Sequence, residues 1–447
     1  MATKPIVAIV GRPNVGKSTL FNRLIGERTA IVQNEPGTTR DRIYGEAEWI
    51  GRIFTVVDTG GLDVDTPPNG QSGETLASMV RSQAELAIAE ADLIVFMLDN
   101  TTGVTPADYD IADILRRTHK PVVLAANKAD TVDRRNAAVD FYSLGMGEPI
   151  PVSAYHGTGS GDLLDRIVEL LPPDDEDEEV DDHLLRIAIV GRPNVGKSRL
   201  LNAVLGQERA IVSEIPGTTR DPVDTRMEWN GHDLLLVDTA GIRRRGKVES
   251  GIEQWSVIRS MRAISRSDVV LLLIDANEGL TAQDEHIAGY VLDESKGLVV
   301  VVNKWDLVEK ESDTMRLYTQ ELRKRLQYVH WAPVTFISAK FAQRIPTVLE
   351  SALSVAAERE KRVPTSALNR LLKQAVFDHE PPSKPGKWLK FYYATQADVR
   401  PPTFVFFVND SKQIQFGYKR YLENRLREQF GFQGTPLRLR FRDRQES

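Results

Sequence analysis

The sequence predicts an α/β protein of two tandem domains, each a mostly parallel sheet with helices on both faces, followed by a small α+β domain. Three observations support this prediction. A long segment occurs twice, at a constant offset of 180 residues. Inside each copy, short β-branched runs alternate with helical stretches, and this pattern changes after about residue 357. The length of 447 residues agrees with three domains of roughly 150 residues each.

The duplicated segment defines the domain organisation. Residues 11–49 begin GRPNVGKSTLFN, and residues 191–229 begin GRPNVGKSRLLN. Their offset far exceeds the ~20 to 50 residues of a solenoid repeat, so the copies are duplicated domains and not a repeat array. The predicted boundaries are a first domain at 1–171, an acidic linker at 172–184, a second domain at 185–357 and a third domain at 358–447.

Each copy contains five candidate strands whose uninterrupted apolar residues are typical of strands buried on both faces. The intervening segments are long enough for crossover helices, so ligands are expected at the carboxyl ends of a mostly parallel sheet. The candidate strands are 6–10, 54–58, 93–98, 122–126 and 150–152, then 187–190, 234–237, 269–274, 298–302 and 334–337. The third domain is predicted to contain helix 365–377, strands 388–395 and 404–408, helix 418–430 and strand 437–441.

Composition limits the class of protein. The chain is 41% hydrophobic and 27% charged, and no apolar run approaches the ~20 residues of a membrane span, so no membrane anchor is predicted. Cysteine is absent, which excludes disulfides, thiolate metal sites and cysteine nucleophiles. The N-terminus enters a candidate strand instead of a secretory signal, so a reducing cytoplasm is the expected location.

Charge is distributed unevenly. The net charge is −6, but residues 359–447 carry 18 Lys and Arg against 9 Asp and Glu, so this stretch is +9 and the preceding residues carry −15. An acidic run at 174–182 separates the two copies, as a solvated linker would. The acidic total is therefore compatible with a partner rich in RNA phosphate.

Each copy contains the strand, GxxxxGK[ST], helix pattern of a phosphate-binding loop. The glycines allow backbone N–H groups to point at phosphate oxygens at a helix N-terminus. Lys17 and Lys197 are predicted to reach the β- and γ-phosphates, and the hydroxyls of Ser18 and Ser198 to ligate Mg²⁺. The predicted phosphate loops are Gly11, Arg12, Pro13, Asn14, Val15, Gly16, Lys17 and Ser18, and Gly191, Arg192, Pro193, Asn194, Val195, Gly196, Lys197 and Ser198.

An Asn-Lys-x-Asp motif after a candidate strand of each copy identifies the base. Its carboxylate can accept hydrogen bonds from N1–H and the exocyclic amine of guanine, whereas adenine would leave it unpaired. The lysine stem can cover the base plane. Guanine is therefore the predicted base. The predicted base-side residues are Asn127, Lys128, Ala129, Asp130, Ser153 and Ala154, and Asn303, Lys304, Trp305, Asp306, Ser338 and Ala339.

An Asp-Thr-x-Gly motif ends another strand of each copy. Its aspartate, Asp58 or Asp238, is a predicted Mg²⁺ ligand, and its final glycine, Gly61 or Gly241, can donate its N–H to a γ-phosphate. The other nucleotide-site residues predicted around this motif are Thr59, Gly60 and Leu62, and Thr239, Ala240 and Ile242.

A Pro-Gly-Thr-Thr-Arg-Asp motif lies between the first helix and the second strand of each copy. Thr39 and Thr219 are predicted to complete the Mg²⁺ shell only in the triphosphate state, with Thr38 and Thr218 as alternatives. Such segments become ordered when GTP binds and relax after hydrolysis.

With these motifs the chain resembles the bacterial double-GTPase family called Der or EngA, in the Era-like branch of the translation-factor-related GTPases. The resemblance covers essentially the whole chain and implies two tandem P-loop GTPase domains and a C-terminal KH-like domain. It also implies hydrolysis of GTP to GDP with Mg²⁺, and a switch function in assembly and maturation of the large (50S) ribosomal subunit. The implied partners are that subunit and its rRNA, and a cytoplasmic, ribosome-associated monomer is expected.

The resemblance bears on catalysis as well. Leu62 and Ile242 stand where many Ras-type GTPases have a water-orienting glutamine, and several Era-like members are stimulated by K⁺ bound to a phosphate-loop asparagine. Asn14 and Asn194 match that asparagine, so K⁺ is predicted there, near the β- and γ-phosphates. The alternative is that both only shape the turn. The predicted catalytic residues are Asn14, Lys17, Thr39 and Gly61, and Asn194, Lys197, Thr219 and Gly241.

Basic residues in two further regions leave alternatives open. Four cations between residues 243 and 247 form either a solvated loop or a nucleotide-controlled contact with rRNA or the C-terminal domain. In the last predicted helix, Arg420 and Arg427 lie opposite the apolar face, where they could bind phosphate. Residues 431–434 spell the GxxG of KH domains but precede the last strand, so a turn is predicted.

Two other functions compete with this interpretation. A tRNA-modification GTPase has similar motifs but one GTPase domain and a C-terminal cysteine, which this chain lacks. A binding scaffold could hold nucleotide as a structural ligand without turnover.

Overall fold

The structure of the chain is a computed structural model. It forms two compact units, Met1–Val180 and Asp181–Ser447. The residues that the structure describes are 4–26, 44–59, 91–118, 120–173, 184–207, 210–212, 224–239, 255–309, 311–382 and 388–443.

The described residues of the first unit form a six-stranded sheet in the order β2-β3-β1-β4-β5-β6, in which only β2 is antiparallel to its neighbour. Every residue of β1 and β4 is buried, so both faces of the sheet centre are covered. The elements are β1 (Ile6–Val10), α1 (Lys17–Gly26), β2 (Tyr44–Trp49), β3 (Arg52–Asp58), β4 (Leu93–Asp99), α2 (Pro106–Arg116), β5 (Val122–Asn127), α3 (Val132–Ala137), β6 (Pro149–Pro151) and α4 (Ser160–Leu170).

The second unit contains a sheet in the order β13-β12-β11-β7-β10-β9-β8 and a separate three-stranded sheet, β14-β15-β16. The elements of its α/β domain are β7 (Leu185–Val190), α5 (Lys197–Leu205), β8 (Ala210–Val212), β9 (Thr225–Trp229), β10 (His232–Val237), α6 (Trp255–Arg266), β11 (Val269–Asp275), α7 (Ala282–Asp293), β12 (Gly297–Asn303), α8 (Thr314–Arg325), β13 (Val334–Phe336) and α9 (Ile345–Glu360). The C-terminal domain contains α10 (Thr365–Asp378), β14 (Phe391–Val399), β15 (Pro402–Val408), α11 (Phe416–Phe430) and β16 (Arg438–Asp443).

All ten strands predicted for the two copies are present, and so are the predicted helices and strands of the C-terminal domain, with ends that differ by a few residues. The prediction missed β2, β8 and β9, and with them the antiparallel hairpins β2-β3 and β9-β10. Both hairpins turn through two residues with positive φ, Ile50 and Gly51 in the first and Asn230 and Gly231 in the second. Asn-Gly is a strong hairpin signal, so the second copy carried the clue that the first one lacks.

The turn at residues 431–434 docks the C-terminal domain onto its own α/β domain, which confirms the predicted turn. The carbonyl of Gly434 accepts a hydrogen bond from the N–H of Leu298 at 2.8 Å, and its N–H donates to the carbonyl of Trp331 at 2.9 Å. The N–H of Phe432 donates to Glu358 Oε2 at 2.5 Å. This docking turn therefore contacts the amino end of β12.

The prediction that Arg427 could bind phosphate is wrong. Its guanidinium donates to the carbonyls of Phe432 and Thr435, pairs with Glu423 at 2.8 Å and lies over the ring of Trp331. Burial lowers the pKa of Arg427, against the opposing effect of Glu423. The arginine supports the docking turn from inside, whereas Arg420 is exposed.

Replacing Gly434 with Ala tests this docking. Gly434 has φ +75°, and an added Cβ would lie 2.1 Å from a methyl carbon of Val355. We expect the free energy of unfolding of the second unit to fall by about 2–4 kcal/mol, from the left-handed backbone and the overpacking together. Urea titration measures the change. Gly417→Ala in α11, where an added Cβ meets nothing within 4 Å, is the matched control and should cost nothing. Equal behaviour of the two variants would contradict the docking role.

Candidate functional site

The two phosphate loops occupy the turns between β1 and α1 and between β7 and α5, at the carboxyl edges of the sheets. Lys17 is buried, and its Nζ donates to the carbonyls of Gly11 at 2.7 Å and Arg12 at 3.0 Å. Lys197 makes the same two contacts with Gly191 and Arg192. Each loop thus closes around its lysine ammonium.

The asparagine of each Asn-Lys-x-Asp motif joins the phosphate loop to the base-side loop. Asn127 Nδ2 donates to the carbonyl of Val15 at 2.7 Å, and its Oδ1 accepts from the N–H of Ala154 at 2.9 Å. Asn303 makes the equivalent bonds to Val195 at 2.7 Å and Ala339 at 2.9 Å. Three motifs that are distant in sequence therefore meet through one amide in each copy.

A glycine is required where this amide crosses the loop. A Cβ on Gly16 would lie 2.4 Å from Asn127 Nδ2, and one on Gly196 would lie 2.3 Å from Asn303 Nδ2. Both glycines also have positive φ, +101° and +105°. The second glycine of GxxxxGK is thus explained by close packing as well as by the turn.

The aspartates of the two Asn-Lys-x-Asp motifs, which are predicted to select guanine, have different surroundings. Asp130 is engaged at both oxygens, by Ser153 Oγ at 2.6 Å and by Arg134 Nη1 at 3.2 Å. In contrast, Asp306 Oδ1 is buried without a hydrogen-bond partner in the described part of the chain. A buried acceptor of this kind suits the N–H donors of guanine, because leaving it unpaired is costly. The acceptor of the second copy therefore fits the predicted base.

The motif lysines are fixed by aspartates that the sequence analysis did not single out. Lys128 Nζ lies 2.6 Å from Asp99 Oδ2, and Lys304 Nζ lies 2.5 Å from Asp275 Oδ2. Burial raises the pKa of Asp99, but hydrogen bonds from Lys128 and Thr101 outweigh it, so the pKa lies below its usual value. The sequence did carry a signal for these aspartates, because an aspartate recurs at the end of the same strand in both copies.

A second pair of aspartates that the sequence analysis did not single out anchors the phosphate loops. The guanidinium of Arg12 donates to Asp108 at 3.2 Å and also to Thr102, and that of Arg192 donates to Asp284 at 3.0 Å. Both aspartates are fully buried residues of a Thr-x-x-Asp capping box. Burial raises the pKa of Asp284, even though the charge of Arg192 opposes that shift. The capping box was again a repeated signal in the sequence.

The predicted metal-binding aspartates differ in conformation. Asp58 is buried at the end of β3, and the hydroxyl of the next residue, Thr59, donates to the carbonyl of Ile9 at 2.7 Å. Asp238 instead has left-handed φ, 56°, and its N–H donates to Asp224 Oδ1 at 2.9 Å. The other oxygen of that buried carboxylate pairs with Arg266 at 2.6 Å. At the equivalent sequence positions the first copy has Tyr44 and Glu90, so it cannot form this ion pair.

The residues that the structure describes fit Mg²⁺ in part. Ser18 and Ser198 are the second residues of the helices that follow the phosphate loops, and a serine hydroxyl together with an aspartate carboxylate supplies the hard oxygen ligands that Mg²⁺ prefers. The other predicted metal and γ-phosphate residues lie outside the described residues, namely Thr38, Thr39, Gly60, Gly61, Leu62, Thr218, Thr219, Ala240, Gly241 and Ile242. The linker run at 174–182 and the cations between 243 and 247 also lie outside them.

The loop asparagines predicted to bind K⁺ have an unusual backbone. Asn14 has φ 66° and Asn194 has φ 62°, and both side chains are exposed at the mouth of the loop. Asparagine tolerates this left-handed region better than most residues, which agrees with the turn-shaping alternative. Because both side chains are exposed and do not pack in the core, the geometry is also compatible with a role of the amides as ligands of K⁺.

Fold and sites together define a protein with two P-loop nucleotide-binding domains of the GTPase class. The family profile described as "50S ribosome-binding GTPase" matches residues 6–128 and 186–304. The profile described as "KH-domain-like of EngA bacterial GTPase enzymes, C-terminal" matches residues 362–442. The predicted fold class is confirmed.

Curated relatives cover the whole chain. GTPase Der of Herpetosiphon aurantiacus is 57% identical over 445 residues, which are 99% of this chain and 97% of the relative. GTPase Der of Chloroflexus aggregans is 56% identical over 99% of this chain and 98% of the relative, and that of Thermomicrobium roseum is 55% identical over 99% and 97%. The chain belongs to the GTPase Der family, which confirms the resemblance and the GTPase function expected from it.

Replacing Asn303 with Ala tests the bridging amide. Loss of its two buried hydrogen bonds should weaken GDP binding to the second site by about 2 kcal/mol, roughly 30-fold. Titration with fluorescent GDP measures this, in a Lys17→Ala background that suppresses the first site. Asn202→Ala, the same change at an exposed position of α5, is the control. If GDP binding by Asn303→Ala matches that of this control, the bridge does not support the nucleotide site.

Proposed function

We propose that both P-loop sites bind GTP with Mg²⁺ and hydrolyse it to GDP, and that their nucleotide state controls association with the large ribosomal subunit during its maturation. The single observation that supports two working sites is the amide bridge, which recurs with distances of 2.7 and 2.9 Å in both copies. A copy kept only as a structural remnant would have no need of the same bridge.

Within each site we assign the following roles to the residues. The loop N–H groups and Lys17 or Lys197 hold the phosphates, and Asp130 or Asp306 selects guanine. Ser18 with Asp58, and Ser198 with Asp238, would hold Mg²⁺, with Thr39 and Thr219 added in the triphosphate state. Bound Mg²⁺ supplies charge that stabilises the phosphates during transfer.

We further propose that K⁺ at Asn14 and Asn194 supplies the positive charge that an arginine finger supplies elsewhere. Leu62 and Ile242 have aliphatic side chains that cannot orient a water molecule by hydrogen bonding. A cation beside the β- and γ-phosphates would stabilise the charge that develops in the transition state. The exposed, left-handed asparagines agree with this role.

The proposed setting is the cytoplasm, where the protein would act as a monomer on the 50S subunit and its rRNA. None of the helices in the described ranges is both long and apolar enough to span a membrane.

Co-sedimentation with 50S subunits tests the switch. We expect the wild type to pellet with 50S particles at least several-fold more with a non-hydrolysable GTP analogue than with GDP or without nucleotide, because the contacts proposed for Thr39 and Thr219 require the triphosphate. Lys17→Ala and Lys197→Ala should lose this dependence. Sedimentation that is independent of nucleotide would contradict the switch and favour a scaffold.

Phosphate release in KCl and NaCl buffers of equal ionic strength tests the potassium proposal. Wild-type turnover should be at least 10-fold faster in KCl, since a charge-stabilising group is worth ~10² or more in rate. Asn14→Ala and Asn194→Ala should each reduce the advantage of KCl, and the Lys17→Ala/Lys197→Ala protein gives the background rate. Equal turnover in the two salts would rule the cation role out.

A further inference from the structure

The aspartate that begins the Asp-Thr-x-Gly motif has a different backbone conformation in the two copies. In the first copy Asp58 is the last residue of β3 and pairs with Ile9 of β1, so its backbone is extended. In the second copy β10 ends one residue earlier, at Val237, and Asp238 has φ 56°. Residues other than glycine rarely adopt this left-handed conformation, because their Cβ then crowds the backbone. The aspartate proposed to bind Mg²⁺ in the second site is therefore strained.

A carboxylate directly before β9 stabilises this conformation. Asp224 Oδ1 accepts a hydrogen bond from the N–H of Asp238 at 2.9 Å. Asp224 Oδ2 accepts from Arg266 Nη2 in α6 at 2.6 Å, and only 4% of the Asp224 side chain is exposed. Hydrogen bonds to a charged group are stronger than neutral ones, and shielding from water strengthens them further. The Asp224–Arg266 pair can therefore offset the strain at Asp238.

A second contact joins the same two segments. The hydroxyl oxygens of Thr225 and Thr239 lie 2.7 Å apart, so two consecutive residues on the β9 side contact two consecutive residues after β10. The register of the two hairpins places Tyr44 and Gly45 at the corresponding positions of the first copy. Tyr44 has no carboxylate and Gly45 has no side chain, so the first copy can form neither contact. The arrangement therefore belongs to the second site.

Strain at a metal-binding position has a functional consequence. Strained residues persist only where their surroundings stabilise them, and they concentrate at functional sites. Here the stabilising contact is made to the N–H of Asp238, which fixes the backbone that carries the carboxylate. In the first copy the corresponding aspartate reaches the end of its strand without such a contact. The extended conformation of Asp58 is thus the unstrained alternative that is open to Asp238.

We propose that Asp224 and Arg266 are positioning residues of the second site, which hold Asp238 in a conformation that it must leave before it can bind Mg²⁺. The inference rests on the proposed function, because it takes Asp238 as a ligand of the Mg²⁺ that is bound with GTP. On returning to an extended conformation, Asp238 gives up its hydrogen bond to Asp224. The pair therefore raises the Mg²⁺ concentration at which the second site binds the triphosphate.

Mg²⁺ titration of the full-length protein with a fluorescent, non-hydrolysable GTP analogue tests the inference, in the Lys17→Ala background that suppresses the first site. Asp224→Ala should lower the Mg²⁺ midpoint at least about 3-fold, because Asp238 no longer gives up a bond to a charged group that outweighs its strain. Asp233→Ala removes the partner of Arg226 on the same hairpin and is the matched control, which should leave the midpoint unchanged.

Further variants separate positioning from a merely structural role. Asp224→Asn keeps an acceptor for the N–H of Asp238 but loses the ion pair, so its midpoint should lie between those of the wild type and Asp224→Ala. Arg266→Lys keeps the charge and should stay near the wild type. Arg266→Ala should lower the midpoint, because a buried carboxylate without its cation is drawn towards water and releases the N–H.

Binding of fluorescent GDP in EDTA provides the control for folding. Its affinity should match the wild type in every variant of Asp224 and Arg266, since the Asp224–Arg266 pair acts only through the metal ligand. A structural role would instead weaken binding of GDP and of the GTP analogue together and leave the Mg²⁺ midpoint where it is. That result would overturn the inference.

Asp238→Asn separates failure of the inference from failure of the proposed function. This variant should raise the Mg²⁺ midpoint, since an amide is a poorer ligand for Mg²⁺ than a carboxylate. If it does so while Asp224→Ala leaves the midpoint unchanged or raises it, the role of the Asp224–Arg266 pair is wrong and the metal role of Asp238 stands. A midpoint that Asp238→Asn does not change would refute that metal role, and the inference with it.

Discussion

One side-chain amide in each GTPase domain holds the nucleotide site together. Asn303 lies at the end of β12 and connects the phosphate loop after β7 to the loop after β13. These segments come from three separate parts of the chain and meet only because parallel strands end at the same edge of the sheet. The buried sheet centre makes that edge rigid, so a single short polar side chain can set the spacing between phosphate and base.

Around this shared arrangement the two copies have diverged. The first engages both oxygens of Asp130 with its own side chains, whereas the second keeps a buried acceptor of Asp306 that has no hydrogen-bond partner among the described residues. The second also ties Asp238 to an ion pair of Asp224 and Arg266 that the first cannot form. Such differences affect residues that select guanine and would bind the metal, so the two sites have a structural basis for unequal behaviour.

In the C-terminal domain a Gly-x-x-Gly pattern, which occurs in the RNA-binding loop of KH domains, forms a docking turn instead. Its Gly-Phe-Gln-Gly turn fills a gap against α9 and the amino end of β12, where Gly434 has no room for a side chain. Arg359 and Arg438 reinforce the junction at Ser295, and burial lowers the pKa of Arg359 to about 10.

The sequence by itself determined the duplication, the parallel sheets, the four nucleotide motifs and the guanine preference, because phosphate loops and buried strands depend on local spacing and on runs of apolar residues. It missed the hairpin strands, whose signal was a two-residue turn. Only the tertiary structure revealed that Asp99, Asp108, Asp275 and Asp284 fix motif residues, and that Arg427 is enclosed. These facts depend on which distant side chains meet across a sheet or a domain junction. The recurrence of these aspartates in both copies marked them as candidates, but spacing along the chain does not identify the side chain that each one meets.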